Sequence, residues 1–321
     1  VTLLGRARLV NAVTAHGLRL QWPDGRQQTV HPQVIENLAQ LDHLSDFELV
    51  LITVKSFDTA TAASGLSGSL SPGARLLSLQ NGVGNEEALA AIVPGQPIIA
   101  GSITLPVMVP QTGLIVVSKD KGGIGLAPFS EGVSIADVGQ CLRDVGFTVA
   151  TYPDHRSLKW SKLILNLIAN ASSAILDMPP TQSLNHPEIF DLEIDVLQET
   201  LAVMRAQGIK VVPLFGYPLP LLAFALRWLP RAVLRRLLKP VMVGGRGDKL
   251  PSLQLDLRQG RNESEVTVLN GVVAITGERI GVPVPVNKAL NDILTGIVTG
   301  EIPWTEYKGN PQALWQQIYR G

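Results

Sequence analysis

Apolar and polar positions along the chain fall into two regimes. Up to about residue 152, short runs rich in Val, Ile and Leu alternate with helical stretches; beyond it the pattern is almost wholly helical. Val1-Thr2-Leu3-Leu4-Gly5-Arg6 reads as a buried strand ending in a loop, and residues 47–55 and 74–82 are two more apolar runs, the second followed by a helix over about 86–92. From 97 to 127 the spacing shortens, with turns at Gln111-Thr112-Gly113 and Lys121-Gly122-Gly123, and predicts antiparallel strands at a sheet edge. A helix over 134–145 and a strand over 147–152 follow. Strands alternating with helices predict a doubly wound, Rossmann-type α/β domain over 1–152. The remainder, 153–321, predicts an all-helical domain.

The helical part holds the most informative pattern. Lys162, Asn166 and Asn170 recur every fourth residue in a stretch that is otherwise apolar. At about 100° per residue these three side chains share one helix face. Asn is a mediocre helix former, and a buried ammonium costs free energy unless it has partners. The polar line fits the wall of a cleft, where a lysine donates a proton and carboxamides hold a substrate oxygen. It fits equally a lysine emerging at the helix start beside two satisfied core asparagines.

Further along, 187–207 is a long amphipathic helix ended by Gly208. Residues 219–238 are Leu-rich, with Arg227, Arg231, Arg235 and Lys239 four apart. That segment reads as a surface helix with a solvated basic face, or as one lying on a membrane surface. Gly244, Gly245 and Gly247 before Pro251 predict a loop feeding a helix start, with Ser252 at its positive end. There Ser252 either caps the helix or meets a carboxylate or phosphate. Asn262 followed by Glu265 is a capping-box spacing, which on spacing alone outweighs a cleft-facing role for Glu265.

In doubly wound sheets ligands sit beyond the carboxyl ends of the strands, and Arg6, Lys55 and Asn81 each fall just past such an end. A G-x-G-x-x-G turn is not found; Gly82-x-Gly84 is a partial match. If Val1 opens the second strand of such a domain, the first strand, glycine turn and first helix lie upstream of this sequence. Residues 1–23 contain no Asp or Glu but hold Arg6, Arg8 and Arg19, which favours NADP over NAD, unless Arg6 is an ordinary surface arginine.

Composition narrows the classes. The chain of 321 residues is 45% hydrophobic and 17% charged, as for a soluble globular protein. A net charge of zero gives no hint of nucleic acid. One cysteine, Cys141, and five scattered histidines exclude a disulfide framework and suggest no metal; they fit a reducing, cytoplasmic compartment. No membrane span is expected, because no run of about 20 apolar residues occurs.

Taken in order, these segments resemble the ketopantoate reductase (2-dehydropantoate 2-reductase) family. The resemblance rests on residues 1–6, Thr53-Val54-Lys55, Gln80-Asn81-Gly82-Val83-Gly84, the Lys162–Asn166–Asn170 line, Ser252-Leu253-Gln254 with Asp256-Leu257, Gly260-Arg261, and Glu265 with Asn270-Gly271. It implies reduction of 2-dehydropantoate to pantoate with NADPH, on the route to coenzyme A, by a monomer or homodimer. It implies Lys162 as the general acid, Asn166 and Asn170 lining the site, Asn81 near nicotinamide and substrate, and Ser252 on the substrate carboxylate. Glu265 would bind the substrate hydroxyl and border the cofactor, which now outweighs its reading as a cap. Arg6 and Lys55 fall where the family contacts the adenosine phosphate. This chain departs from the family pattern by one extra residue before Glu265, by Pro179-Pro180, by Lys249 and by the basic Leu-rich segment. Those departures leave open a different 2- or 3-oxo acid as substrate; a catalytically silent NADP-binding protein is the remaining alternative.

Overall fold

A computed structural model describes residues 1–119, 121–246 and 250–320 of the chain. Gly247 and Lys249, singled out above, lie outside the described residues. The strands are β1 (Thr2–Leu4), β2 (Leu18–Gln21), β3 (Gln27–Val30), β4 (Gln33–Ile35), β5 (Leu49–Ile52), β6 (Arg75–Ser78), β7 (Ile98–Ile103), β8 (Val107–Gln111), β9 (Leu114–Val117), β10 (Ile124–Pro128) and β11 (Val149–Thr151). Five of them form the main sheet in the order β11-β10-β7-β6-β5, parallel except where β10 runs against β7. Among the described residues, β1 pairs in parallel with β4 alone. Beyond residue 154 the described chain is helical apart from a β-bridge between Leu214 and Tyr217.

Apolar runs become the central strands β6 and β7 because strands covered on both faces need near-continuous hydrophobicity; the expectation of a buried first strand is corrected, since β1 lies outside the main sheet with Leu4 50% exposed, and β5 lies at the sheet edge with Leu51 45% exposed. Leu76, Leu77, Ile98, Ile99 and Leu126 are fully buried. The expected placement of residues 97–127 as antiparallel strands at the sheet edge is corrected. β8 and β9 leave the main sheet and join β2 and β3 in a separate four-stranded sheet, where β9 runs parallel to β2. β10 is internal to the main sheet, and β11 lies at its edge.

Helix His155–Leu167 starts where the Asp154 carboxylate accepts from the amides of Arg156 (3.1 Å) and Ser157 (3.0 Å). It docks on the sheet closely: a Cβ on Gly125 would lie 2.8 Å from Leu158 Cδ1. The helix does not continue to Asn170. It ends at Leu167, Ala169 takes φ +46°, and a new short helix spans Ala171–Leu176. The break is held by the buried Glu193 carboxylate of helix Pro187–Ala206, which accepts from Ala169 N–H (2.7 Å) and the Ser172 hydroxyl (2.5 Å). The glycines expected in a loop also differ: helix Arg231–Arg246 runs through Gly244 and Gly245.

Candidate active site

Strand register sets the first half of the site. Ile52 of β5 pairs with Ser78 of β6, so Lys55 and Asn81 stand level, each three residues beyond the paired positions. Arg6 follows the end of β1 in the same way and donates to Asp58 (3.1 Å), three residues past Lys55; its side chain is otherwise largely exposed. The second half comes from the helical part. Asn166 lies one turn beyond the half-buried Lys162 on helix His155–Leu167, and its Nδ2 donates to Asn81 Oδ1 at 3.3 Å. The face bearing Lys162 and Asn166 thus meets the carboxyl end of β6.

Asn170 reaches the same neighbourhood across the helix break, but both ends of its carboxamide are occupied. Nδ2 donates to the Asn166 carbonyl (3.0 Å), and Oδ1 accepts from Leu253 N–H (3.2 Å). It is 3% exposed. Asn170 therefore ties helix His155–Leu167 to helix Ser252–Arg258 instead of presenting an open face. Ser252 is the exposed first residue of that second helix and makes no capping bond.

Glu265 is where spacing misleads. The capping box with Asn262 does not form; Ser264 is the cap, accepting from Val266 N–H at 3.2 Å. That frees the Glu265 carboxylate, which accepts from Lys55 Nζ at 2.6 Å and, weakly, from Ser56 N–H at 3.4 Å. Lys55 also donates to Asp256 (2.9 Å), which in turn meets Arg261 Nε at 3.2 Å. Burial pushes the Lys55 ammonium down, but Glu265 and Asp256 outweigh it and hold its pKa above the ordinary lysine value. The expected phosphate-facing lysine is thus engaged by two carboxylates of the helical part. An ammonium has three N–H donors, and two are used here.

The loop after β6 is fastened to the same region. Val83 N–H donates to the Val268 carbonyl (3.3 Å), and Gly82 takes φ +86° with its Cα so close that a Cβ would lie 2.7 Å from Val268 O. Only glycine tolerates both conditions. Beneath this loop lies a buried pair that the sequence pattern does not single out: Lys159 Nζ meets Glu86 Oε1 at 2.9 Å and the Gln80 carbonyl at 2.7 Å. Asp256 is likewise missed. Their signal is faint: Lys159 sits one turn before Lys162, and Asp256 lies inside a quoted motif without an evident duty.

Chemically, the site joins a lysine, two primary amides and an anchored carboxylate at the end of a parallel sheet. That set suits protonation of a carbonyl oxygen and recognition of a hydroxyl.

Known proteins resemble this chain along most of its length. Residues 1–131 match the family model described as ketopantoate reductase PanE/ApbA, and residues 154–298 match its C-terminal counterpart. The 2-dehydropantoate 2-reductase of Halobacterium salinarum is 29% identical over 216 residues, 66% of this chain and 69% of that protein. The crystal structure of a PanE/ApbA family ketopantoate reductase from Ralstonia eutropha JMP134 matches with a TM-score of 0.77 and 28% identity, covering 94% of this chain and 91% of that one. A D-mandelate dehydrogenase solved with NADH and anilino(oxo)acetate shares the fold, with a TM-score of 0.76 and 18% identity over 94% and 91% of the two chains. With two consecutive family models spanning most of its length, the chain belongs to the ketopantoate reductase family of oxidoreductases acting on a CH–OH group.

Proposed function

We propose that this chain reduces 2-dehydropantoate to pantoate with NADPH, in a cleft between units that meet at residues 152/153. The observation that carries the reading is the contact of Asn166 with Asn81, which brings the Lys162 helix face to the end of β6. The residues present suit a dinucleotide phosphate: the loops after β1, β5 and β6 carry Arg6, Lys55 and Asn81. The exposed Arg6 guanidinium, paired with Asp58, suits a 2′-phosphate. NADPH, when bound, supplies the hydride.

The chain supplies the rest. As the carbonyl carbon gains hydride, negative charge grows on its oxygen, and Lys162 transfers a proton to that oxygen to complete the CH–OH group. A positioned general acid contributes roughly 10²–10⁴-fold. Asn166 and Asn81 orient the reacting carbonyl, with Asn170 positioning Asn166 through its backbone. Ser252 meets the substrate carboxylate. Lys55 holds Glu265 in place through the 2.6 Å contact, so that the remaining lone pairs of the carboxylate accept the substrate hydroxyl, while the third ammonium N–H serves the cofactor side. The homologues' names and the family support this substrate; Pro179-Pro180 favours testing other 2-oxo acids beside it.

The test is Lys162→Ala. We expect kcat for 2-dehydropantoate to fall about 10²–10⁴-fold while NADPH affinity, read by fluorescence titration, stays nearly intact. Near-normal turnover removes Lys162 from the role of acid. Faster turnover of another 2-oxo acid by the unmutated enzyme would reassign the substrate and leave the chemistry standing.

A further inference from the structure

The charge of this chain is unevenly distributed. Residues 200–247 contain eight of its 27 Lys and Arg and none of its 27 Asp and Glu. They include helices Leu219–Trp228 and Arg231–Arg246, which pack on helix Pro187–Ala206 through buried Leu226 and Leu234. Two of the arginines serve that packing: Arg231 pairs with Asp195, and Arg235 Nε donates to Asp191 at 2.9 Å. Arg205, Lys210, Arg227 and Arg236 have no carboxylate within ion-pair distance among the described residues. The outward face is apolar as well as basic. Leu221, Phe224 and Trp228, at i, i+3 and i+7, are 65%, 59% and 63% exposed, and Val233 and Leu237 are exposed one turn apart on the next helix. Phe224 and Trp228 line an open hollow of about 610 Å³ together with Leu201, Met204, Arg205 and Arg227. The Arg227 guanidinium lies 4.8 Å from the Trp228 ring centroid.

From this face we propose that residues 219–239 dock the protein on an anionic lipid surface. Large aromatic and aliphatic side chains flanked by unneutralised cations are what an interfacial helix needs: the apolar groups enter the headgroup boundary while the cations meet lipid phosphates. Among the described residues no helix is long and apolar enough to cross a membrane, so the segment lies on the surface and does not span it. A second copy of the chain fits less well. A two-fold interface sets the same patch against itself, here basic face against basic face, with the two partly buried carboxylates beside it, Asp191 and Asp195, already paired to Arg235 and Arg231. None of the residues that line the hollow is among those assigned above to the candidate active site.

The experiment is vesicle co-sedimentation with phosphatidylcholine alone and with phosphatidylcholine containing phosphatidylglycerol. The protein should bind the anionic vesicles, ignore the neutral ones, and dissociate as salt shortens the screening length. Arg227→Gln with Arg236→Gln should weaken binding about 25-fold, at about five-fold for each cation. Phe224→Ser with Trp228→Ser should weaken it about ten-fold or more, and both pairs should leave oxo-acid reduction and the circular dichroism spectrum unchanged. No binding to anionic vesicles, or binding that survives both pairs of substitutions, overturns the proposal. So does a dimer in light scattering that dissociates on Phe224→Ser with Trp228→Ser, since that outcome assigns the face to a second copy.

Discussion

Replacing Lys55 by methionine keeps the length of the stem and deletes the charge that joins β5 to the helical part. The consequence falls unequally on its two partners. Asp256 keeps Arg261 Nε at 3.2 Å, whereas Glu265, with a side chain only 4% exposed, keeps little beyond the 3.4 Å contact to Ser56 N–H. Removing one partner of a buried ion pair costs about 3–5 kcal/mol. Because the Lys55 side chain is itself 30% exposed and solvent already screens it, the lower end, about 3 kcal/mol, is expected. Urea unfolding of wild type, Lys55→Met, Glu265→Gln and the double variant at neutral pH measures both the loss and the coupling. Glu265→Gln should restore part of what Lys55→Met removes. The folded pKa of Lys55 is raised, so its contribution is complete below the unfolded value near about 10.4 and is lost as pH rises through the folded value. A loss under about 1 kcal/mol, at the level of an exposed pair, would refute this account of the bridge.

Arg6→Ala should erode a preference for NADPH over NADH by about 1.5–3 kcal/mol, the scale of a charge-assisted hydrogen bond; equal use of the two cofactors by the unmutated enzyme would count against the assignment. Gly82→Ala forces a Cβ to within 2.7 Å of Val268 O at φ +86°, so thermal unfolding should show a loss of about 2 kcal/mol, together with a raised KM for the oxo acid; an unchanged melting temperature would mean the loop shifts freely. Arg75 holds the Asp137 carboxyl down at about 2. Its stabilising effect is therefore present above the unfolded value, near about 3.9, and is lost as pH falls through the folded one. Exposure keeps that effect under about 1 kcal/mol. A carboxyl NMR titration that finds an ordinary aspartate value, unchanged by Arg75→Ala, would contradict the pairing.

The sequence by itself determined the features that depend on near neighbours. Short, largely apolar runs locate β1, β5 and β6, and the polar residue after each run identifies Arg6, Lys55 and Asn81 as strand-end groups. Four-residue spacing puts Lys162 and Asn166 on one helix face, because 3.6-residue periodicity is a local property of the backbone. Wherever a distant segment competes, that reading stops. Helix His155–Leu167 ends early because Glu193, 24 residues beyond Ala169, takes the Ala169 amide. β8 and β9 leave the main sheet because β2, nearly a hundred residues upstream, offers β9 a parallel edge. Glu265 has the spacing of a cap and becomes a partner of Lys55, 210 residues away. A buried charge announces in the sequence that it must be paired, but which charge it meets is fixed only when the segments pack. Lys159 with Glu86, and Lys55 with Asp256 and Glu265, are therefore decisions of the tertiary structure.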